Sequence, residues 1–187
     1  VSAPPDLPEI VTRALRMSLQ HGYVMTSRTE TGRLLATLAA TRGGTMAECG
    51  TGCGVGAAWL RTGAPKSTRV LTAELDPELA HGVMEMFAAD DIEVMHADWA
   101  SLAEHAPFSL IFIDADSARH SPREEIVGML ETGGMIVIDD FTPSADWPPM
   151  DSGRVDQLRQ EWLTDERFTS ADVMVATDTS VLVAVKR

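Results

Sequence analysis

The sequence predicts an α/β fold with a doubly wound, mostly parallel sheet, and three observations predict it. Short apolar runs alternate with segments of helical periodicity from Thr45 to Asp139. Glycines at 50, 52, 54 and 56 follow the first apolar run and open a helix-like segment, Ala57-Ala58-Trp59-Leu60. The last two apolar runs succeed one another across Thr177-Asp178-Thr179, which is a hairpin pattern. Alternation of this kind gives a parallel sheet with helices on both faces, joined by right-handed crossovers. The apolar runs number seven, so the expectation is a seven-stranded, Rossmann-like sheet that ends in an antiparallel hairpin.

Residues 8–20 carry Ile10, Val11, Ala14, Leu15 and Leu19 at helical spacing, and residues 30–41 do the same with Leu34, Leu35, Leu38 and Ala39. Thr45–Glu48 is a short strand, and a helix runs from the glycines to about Arg61. Val70–Glu74 is the second strand. Pro77–Ala89 is the next helix, with Leu79, Ala80, Val83, Met84 and Phe87 facing inward and Pro77 suited to the first turn. Glu93–His96 and Phe108–Asp114 supply the third and fourth strands. Ser121–Leu130 reads as a helix stopped by Gly133-Gly134, and Met135–Asp139 reads as a buried fifth strand. Arg154–Leu163 has a helical pattern, and Phe168–Ala176 and Ser180–Lys186 form the closing hairpin. The longest loop candidate is Phe141–Gly153, with Pro143, Pro148 and Pro149. It follows a strand's carboxyl end, where open α/β sheets bind ligands.

A chain of 187 residues suits one domain, with N-terminal helices over 1–44 and a cofactor-binding core over 45–187. The net charge of −13 argues against nucleic acid and anionic membranes as partners, because phosphate recognition depends on Lys and Arg. No apolar run approaches the ~20 residues that span a bilayer. Val1–Glu9 is acidic and proline-rich, unlike a signal peptide. Cys49 and Cys53 flank the glycine turn without further ligands for zinc nearby, so both are expected to be free, in a cytoplasmic protein.

A strand that breaks into a glycine turn and opens a helix brings backbone N–H groups close to a ligand. Gly52-Cys53-Gly54-Val55-Gly56-Ala57 satisfies a loose dinucleotide pattern. Glu48, two residues before the first glycine, points elsewhere. A carboxylate there repels a pyrophosphate and attracts an ammonium or sulfonium, which favours S-adenosylmethionine (SAM). Glu74 ends the second strand, where it can accept both ribose hydroxyls. Asp98 and Trp99 follow the third strand, where an oxygen can face an adenine amino group and the indole can pack on the ring.

On these residues the chain resembles the catechol and caffeoyl-CoA O-methyltransferase group of class I methyltransferases, from about residue 20 to the end. Met25-Thr26-Ser27 with Glu30-Thr31-Gly32-Arg33-Leu34-Leu35 resembles the segment leading into that family's first core helix. The resemblance implies that Ser27 and Met25 contact the cofactor's methionine part, together with Glu48, Gly50 and Thr51 and the turn glycines Gly52 and Gly54. It implies Glu74 at the ribose and Asp98 and Trp99 at the adenine edge. Gly56 stands where many members carry a hydroxyl residue. The resemblance also suggests a small-molecule acceptor and a homodimer.

Two further acidic groups, Asp114-Ala115-Asp116 and Asp139-Asp140, end neighbouring strands. Carboxylates at a common edge repel unless a cation or protons offset the charge, and their oxygens suit Mg²⁺, Ca²⁺ or Mn²⁺. In the family such positions bind a metal, which here implies Asp114, Asp139 and Asp140. The alternative is that Asp114 and Asp116 contact the cofactor while Asp139 and Asp140 cap a helix or orient substrate. Ser117 replaces the family's usual Lys base and Asp140 replaces an Asn. His120 is the candidate substitute base, alongside Asp114 and Asp139 as catalytic residues. Rival readings are an NAD-dependent oxidoreductase, a non-catalytic protein of methyltransferase fold, and a methyltransferase acting on another atom or on a protein.

Overall fold

Two helices, α1 (Glu9–His21) and α2 (Thr29–Ala39), lead into β1 (Thr45–Cys49). Then come α3 (Val55–Gly63), β2 (Arg69–Glu74), α4 (Pro77–Met86), β3 (Ile92–His96), a 3-10 helix (Trp99–His105) and β4 (Phe108–Ile113). Short helices α5 (Asp116–Arg119) and α6 (Arg123–Met129) precede β5 (Leu130–Phe141). The chain closes with β6 (Met150–Asp151), β7 (Arg154–Val155), α7 (Gln157–Thr164), β8 (Phe168–Ala176) and β9 (Thr179–Lys186). These elements come from a computed structural model that describes residues 6–187, so the first part of the proline-rich stretch read at 1–9 lies outside them. No helix among the described residues is long and apolar enough to cross a membrane.

The sheet has seven strands in the order β3-β2-β1-β4-β5-β9-β8. Its first five strands pair in parallel, and β9 then runs antiparallel to both β5 and β8. The direction of winding reverses between β1 and β4. In open α/β sheets the crevice at such a reversal, beyond the strands' carboxyl ends, is where ligands bind.

Alternation along the strands sorts the core into two layers. Met46, Leu110, Phe112 and Val137 pack with Val11, Leu35, Ala57 and Ala58 of the first three helices and with Phe87, which follows α4. Ala47, Cys49, Ile111, Ile113, Ile136 and Ile138 pack on the other face with Trp99, Leu102, Ile126 and Trp162. Both cysteines are free and buried.

Several elements differ from the sequence expectation, each for a local reason. The helix read over Ser121–Leu130 is shorter because Leu130 turns extended and begins β5, which runs through Gly133-Gly134. Arg154 and Val155, read as helical, pair with Met150 and Asp151 in a small hairpin inside the proline-rich loop. α7 starts after them because the Asp156 side chain accepts a hydrogen bond from Arg159 N at 3.0 Å. Asp76 caps α4 in the same way, accepting from Glu78 N and Leu79 N.

The buried Arg159 pins the proline-rich loop. It is 0% exposed. Its guanidinium donates to Thr142 O at 2.7 Å and to Met150 O at 3.1 Å. It also pairs with Asp172 of β8 at 2.9 Å and with Asp156 at 3.1 Å. One buried cation thus holds the loop, α7 and β8 together.

Candidate functional site

The chain between β1 and α3 is fixed before any ligand arrives. Gly50 N and Thr51 N donate to Ala73 O of β2 at 3.1 and 3.2 Å. Asp114 N and Ala115 N donate to Cys49 O at 3.0 and 2.7 Å, tying the end of β4 to the same turn. Gly50 and Gly52 have φ of +95° and +51°, which side-chain-bearing residues adopt only at a cost. A Cβ on Gly50 would also lie 2.8 Å from Ala115.

Above this turn lies a cleft of about 350 Å³. It runs across the carboxyl ends of β2, β1 and β4, with Glu74, Asp98 and Trp99 on one side and Asp114 and Asp116 on the other. Glu74 Oε2 accepts from Gly52 N at 2.7 Å and Oε1 from Asp76 N at 2.9 Å. Each oxygen keeps a second lone pair for a ligand hydroxyl. Asp98 Oδ1 accepts from Ala100 N at 2.9 Å, capping the 3-10 helix, and the buried Trp99 lines the cleft beside it.

Of the residues expected at the cofactor, Met25, Gly50, Gly52, Glu74, Asp98, Trp99, Asp114 and Asp116 line this cleft. Ser27, Glu48, Thr51 and Gly54 do not line it. Gly54 is the residue before α3, packed toward Phe87 and Val83. Ser27 is buried, and its hydroxyl lowers the pKa of Asp114.

Glu48 departs most from expectation. It shares the Met46 face of β1, so it points under α3, and it is 0% exposed. Thr72 Oγ1 donates to Glu48 Oε2 at 2.6 Å. Thr51 Oγ1 stands 2.6 Å from Thr72 Oγ1, which leaves Thr51 as the donor in that pair. Oε1 faces the first turn of α3, where a Cβ on Gly56 would lie 2.0 Å from it. Gly56 is therefore the space that the Glu48 carboxyl fills, which is why no hydroxyl residue stands there. Burial pushes the Glu48 carboxyl well above its ordinary value, with the Thr72 hydrogen bond lowering it and the Asp114 charge adding to the rise. Buried under α3 and away from the cleft lining, the Glu48 carboxyl does not reach a ligand there. Glu48 instead braces the turn from below through Thr72 and Thr51.

The acids at the ends of β4 and β5 neighbour one another. Burial, then the charges of Asp139 and Asp140, push Asp114 up to about 8, with the Ser27 hydroxyl pulling the other way. Asp139 is pushed up to about 6, mainly by burial. It is 3% exposed, and its Oδ1 accepts from Thr31 Oγ1 of α2 at 3.0 Å. Asp140 adopts φ +61° and faces away, into a second depression of about 620 Å³ over the β6–β7 hairpin. Arg119 fills the space between β5 and α5. It donates to Asp139 O at 2.7 Å and Asp140 O at 3.2 Å and lies over the Phe141 ring at 4.2 Å.

The donor set expected for a divalent ion does not fit one. Among the described residues no three His, Cys, Asp or Glu side chains are grouped to hold a metal. Asp139 is engaged by Thr31, and Asp140 turns to the other side of α5. His120 lies in that second depression, exposed, with Nδ1 3.1 Å from Asp116 Oδ1. The structure does not bring it to the cleft.

Sequence reasoning missed the large side chains Tyr23 and Leu75 of the cleft lining. Tyr23 lies over Gly52, and Leu75, 67% exposed, edges the Asp98 side. An aromatic residue directly after Gly22, which ends α1, was the available signal for Tyr23.

This fold recurs in known structures. A methyltransferase from Geobacter sulfurreducens is 17% identical, with 98% of this chain and 90% of that one covered at a TM-score of 0.76. The O-methyltransferase TomG from Streptomyces achromogenes, in complex with SAM, is 20% identical, with 97% and 92% covered at 0.75. An O-methyltransferase from Bacillus cereus, in complex with S-adenosylhomocysteine (SAH), is 21% identical, with 100% and 94% covered at 0.74. No curated protein sequence matches the chain. With the cleft at the β1/β4 reversal, the fold is that of a class I SAM-dependent methyltransferase. More narrowly, the protein-L-isoaspartate(D-aspartate) O-methyltransferase (PCMT) family model matches residues 7–140, and the chain belongs to that family. It is a SAM-dependent O-methyltransferase, which removes the oxidoreductase reading.

Proposed function

We propose that SAM lies along the 350 Å³ cleft and that its methyl group passes to a hydroxyl of a small catechol-like acceptor. The observation that carries this reading is the pairing of Glu74 with Asp114 across the glycine turn. Glu74, already fixed by two backbone amides, takes the ribose hydroxyls. Asp98 and Trp99 take the adenine edge. The methionine part extends past Gly50 toward Asp114, with Ser27 behind it.

A sulfonium makes its methyl group electrophilic without help. The protein's contribution is to hold the acceptor oxygen in line with the C–S bond. A phenol with a pKa of about 10 must also lose its proton as the bond forms. Asp114, pushed up to about 8, is matched to receive it, since a general base works best near the operating pH. Asp139 positions this region through its bond to Thr31 on α2. The mechanism routes no step through a divalent ion.

The family match favours one second reading, in which the acceptor is a carboxylate of an isoaspartyl peptide. The test is SAH release with catechols, with an isoaspartyl peptide and with no acceptor. Turnover on catechols that collapses in Asp114→Asn supports the proposal. Turnover on the peptide alone replaces the acceptor.

A further inference from the structure

We infer that Tyr23 forms the wall of the cleft that faces the cofactor's sulfonium, so that it favours the charged donor over its neutral product. The inference rests on the cofactor position proposed above. Tyr23 is held by the end of α1, where Gly22 takes φ +62° and Tyr23 N donates to Ser18 O at 2.8 Å. This aims the ring onto the glycine turn. A Cβ on Gly52 would lie 2.9 Å from Tyr23 Oη, 3.0 Å from Cε1 and 3.1 Å from Cζ. Gly52 is the residue whose N–H donates to Glu74. The phenol therefore stands beside the ribose-binding acid and within the field of Asp114.

The sulfur of SAM is bonded to the 5′ carbon of the ribose. A ribose on Glu74, with the amino-acid end running toward Asp114, carries its sulfur past Gly52 and the Tyr23 ring. An aromatic face attracts a cation at close range. Burial and the charges of Asp114 and Glu74 raise the phenol's pKa, so it stays neutral at physiological pH. After transfer the sulfur is a neutral thioether, and the attraction is gone. The wall then holds substrate more tightly than product, which promotes release.

The test is calorimetric titration of the wild type, Tyr23→Phe, Tyr23→Leu and Glu74→Ala with SAM and with SAH. Circular dichroism of each variant establishes that it is folded. Tyr23→Leu is expected to weaken SAM by roughly 2- to 30-fold, the range of a cation–aromatic contact, with SAH little changed. Tyr23→Phe keeps the ring and is expected to keep the SAM-to-SAH ratio. Equal loss for both ligands in Tyr23→Leu, or loss for neither, overturns the role of Tyr23 while Glu74→Ala still weakens binding. Unchanged SAM affinity in Glu74→Ala instead overturns the cofactor position, and the inference with it.

Discussion

Replacing Asp114 with Asn should make the ligand-free protein more stable above pH 6 while crippling its chemistry. Asp114 is harder to ionise in the folded chain, where its pKa is about 8, than in the unfolded chain, where a carboxyl titrates near 4. The folded state therefore holds the proton over an interval in which the unfolded state has released it. That stability is complete below about pH 4 and is lost as pH rises toward 8. Each pH unit removes about 1.4 kcal/mol per proton. Asp139, at about 6, adds its own loss at the lower end. From pH 6 to 8 the Asp114 contribution amounts to at most about 3 kcal/mol, and partial solvent access reduces it. The assay is urea denaturation of the wild type and Asp114→Asn at half-unit steps across this range. The wild type should lose stability more steeply from pH 6 to 8 than the variant, in which the buried Glu48 carboxyl still contributes to the slope. Equal slopes would refute the claim that Asp114 is a proton-holding carboxyl. Binding SAM should also release a proton near pH 7, read from the buffer dependence of the binding heat.

Gly56→Ser should lower the melting temperature, at a cost of about 1–3 kcal/mol, because its Cβ meets Glu48 Oε1 at 2.0 Å and Phe112 at 2.8 Å; an unchanged melt would remove Glu48 from the space under α3. Arg159→Ala should destabilise the fold by about 3–5 kcal/mol in the same melts, since it leaves Asp172 and Asp156 without their buried cation. Turnover should be indifferent to EDTA and to added Mg²⁺. Loss of rate on chelation, restored by the ion, would return Asp114, Asp139 and Asp140 to a metal role.

The sheet was legible because its strands are apolar runs set off by glycine, proline or acidic residues, and each of the seven overlaps the run read for it, with β5 beginning earlier, at Leu130. The β6–β7 hairpin was not, since two-residue strands carry no periodicity. The 3-10 helix at Trp99–His105 and α5 are too short to show a helical stripe. In the site, Glu74, Asp98 and Asp114 were readable because strand ends converge in any parallel sheet. Distance from the glycines alone does not say which face of β1 carries Glu48. Its parity with Met46 along β1 placed it on the face that α3 covers. Tyr23 reaches the cleft from the turn after α1, and that path depends on how α1 packs on α3 and α4. Asp140 escapes its neighbours through a left-handed backbone that no local pattern announces.

The central claim is that this cleft holds SAM with Glu74 at the ribose, and calorimetry on the wild type and Glu74→Gln, with NAD as control, tests it most directly. Gln offers one acceptor oxygen where Gly52 N and Asp76 N now engage two. Hydrogen bonds to a charged group contribute about 1.5–3 kcal/mol, so SAM should bind the variant roughly 10- to 100-fold more weakly, and NAD should bind neither protein. NAD binding to the wild type, or equal SAM affinity in both proteins, would contradict the account.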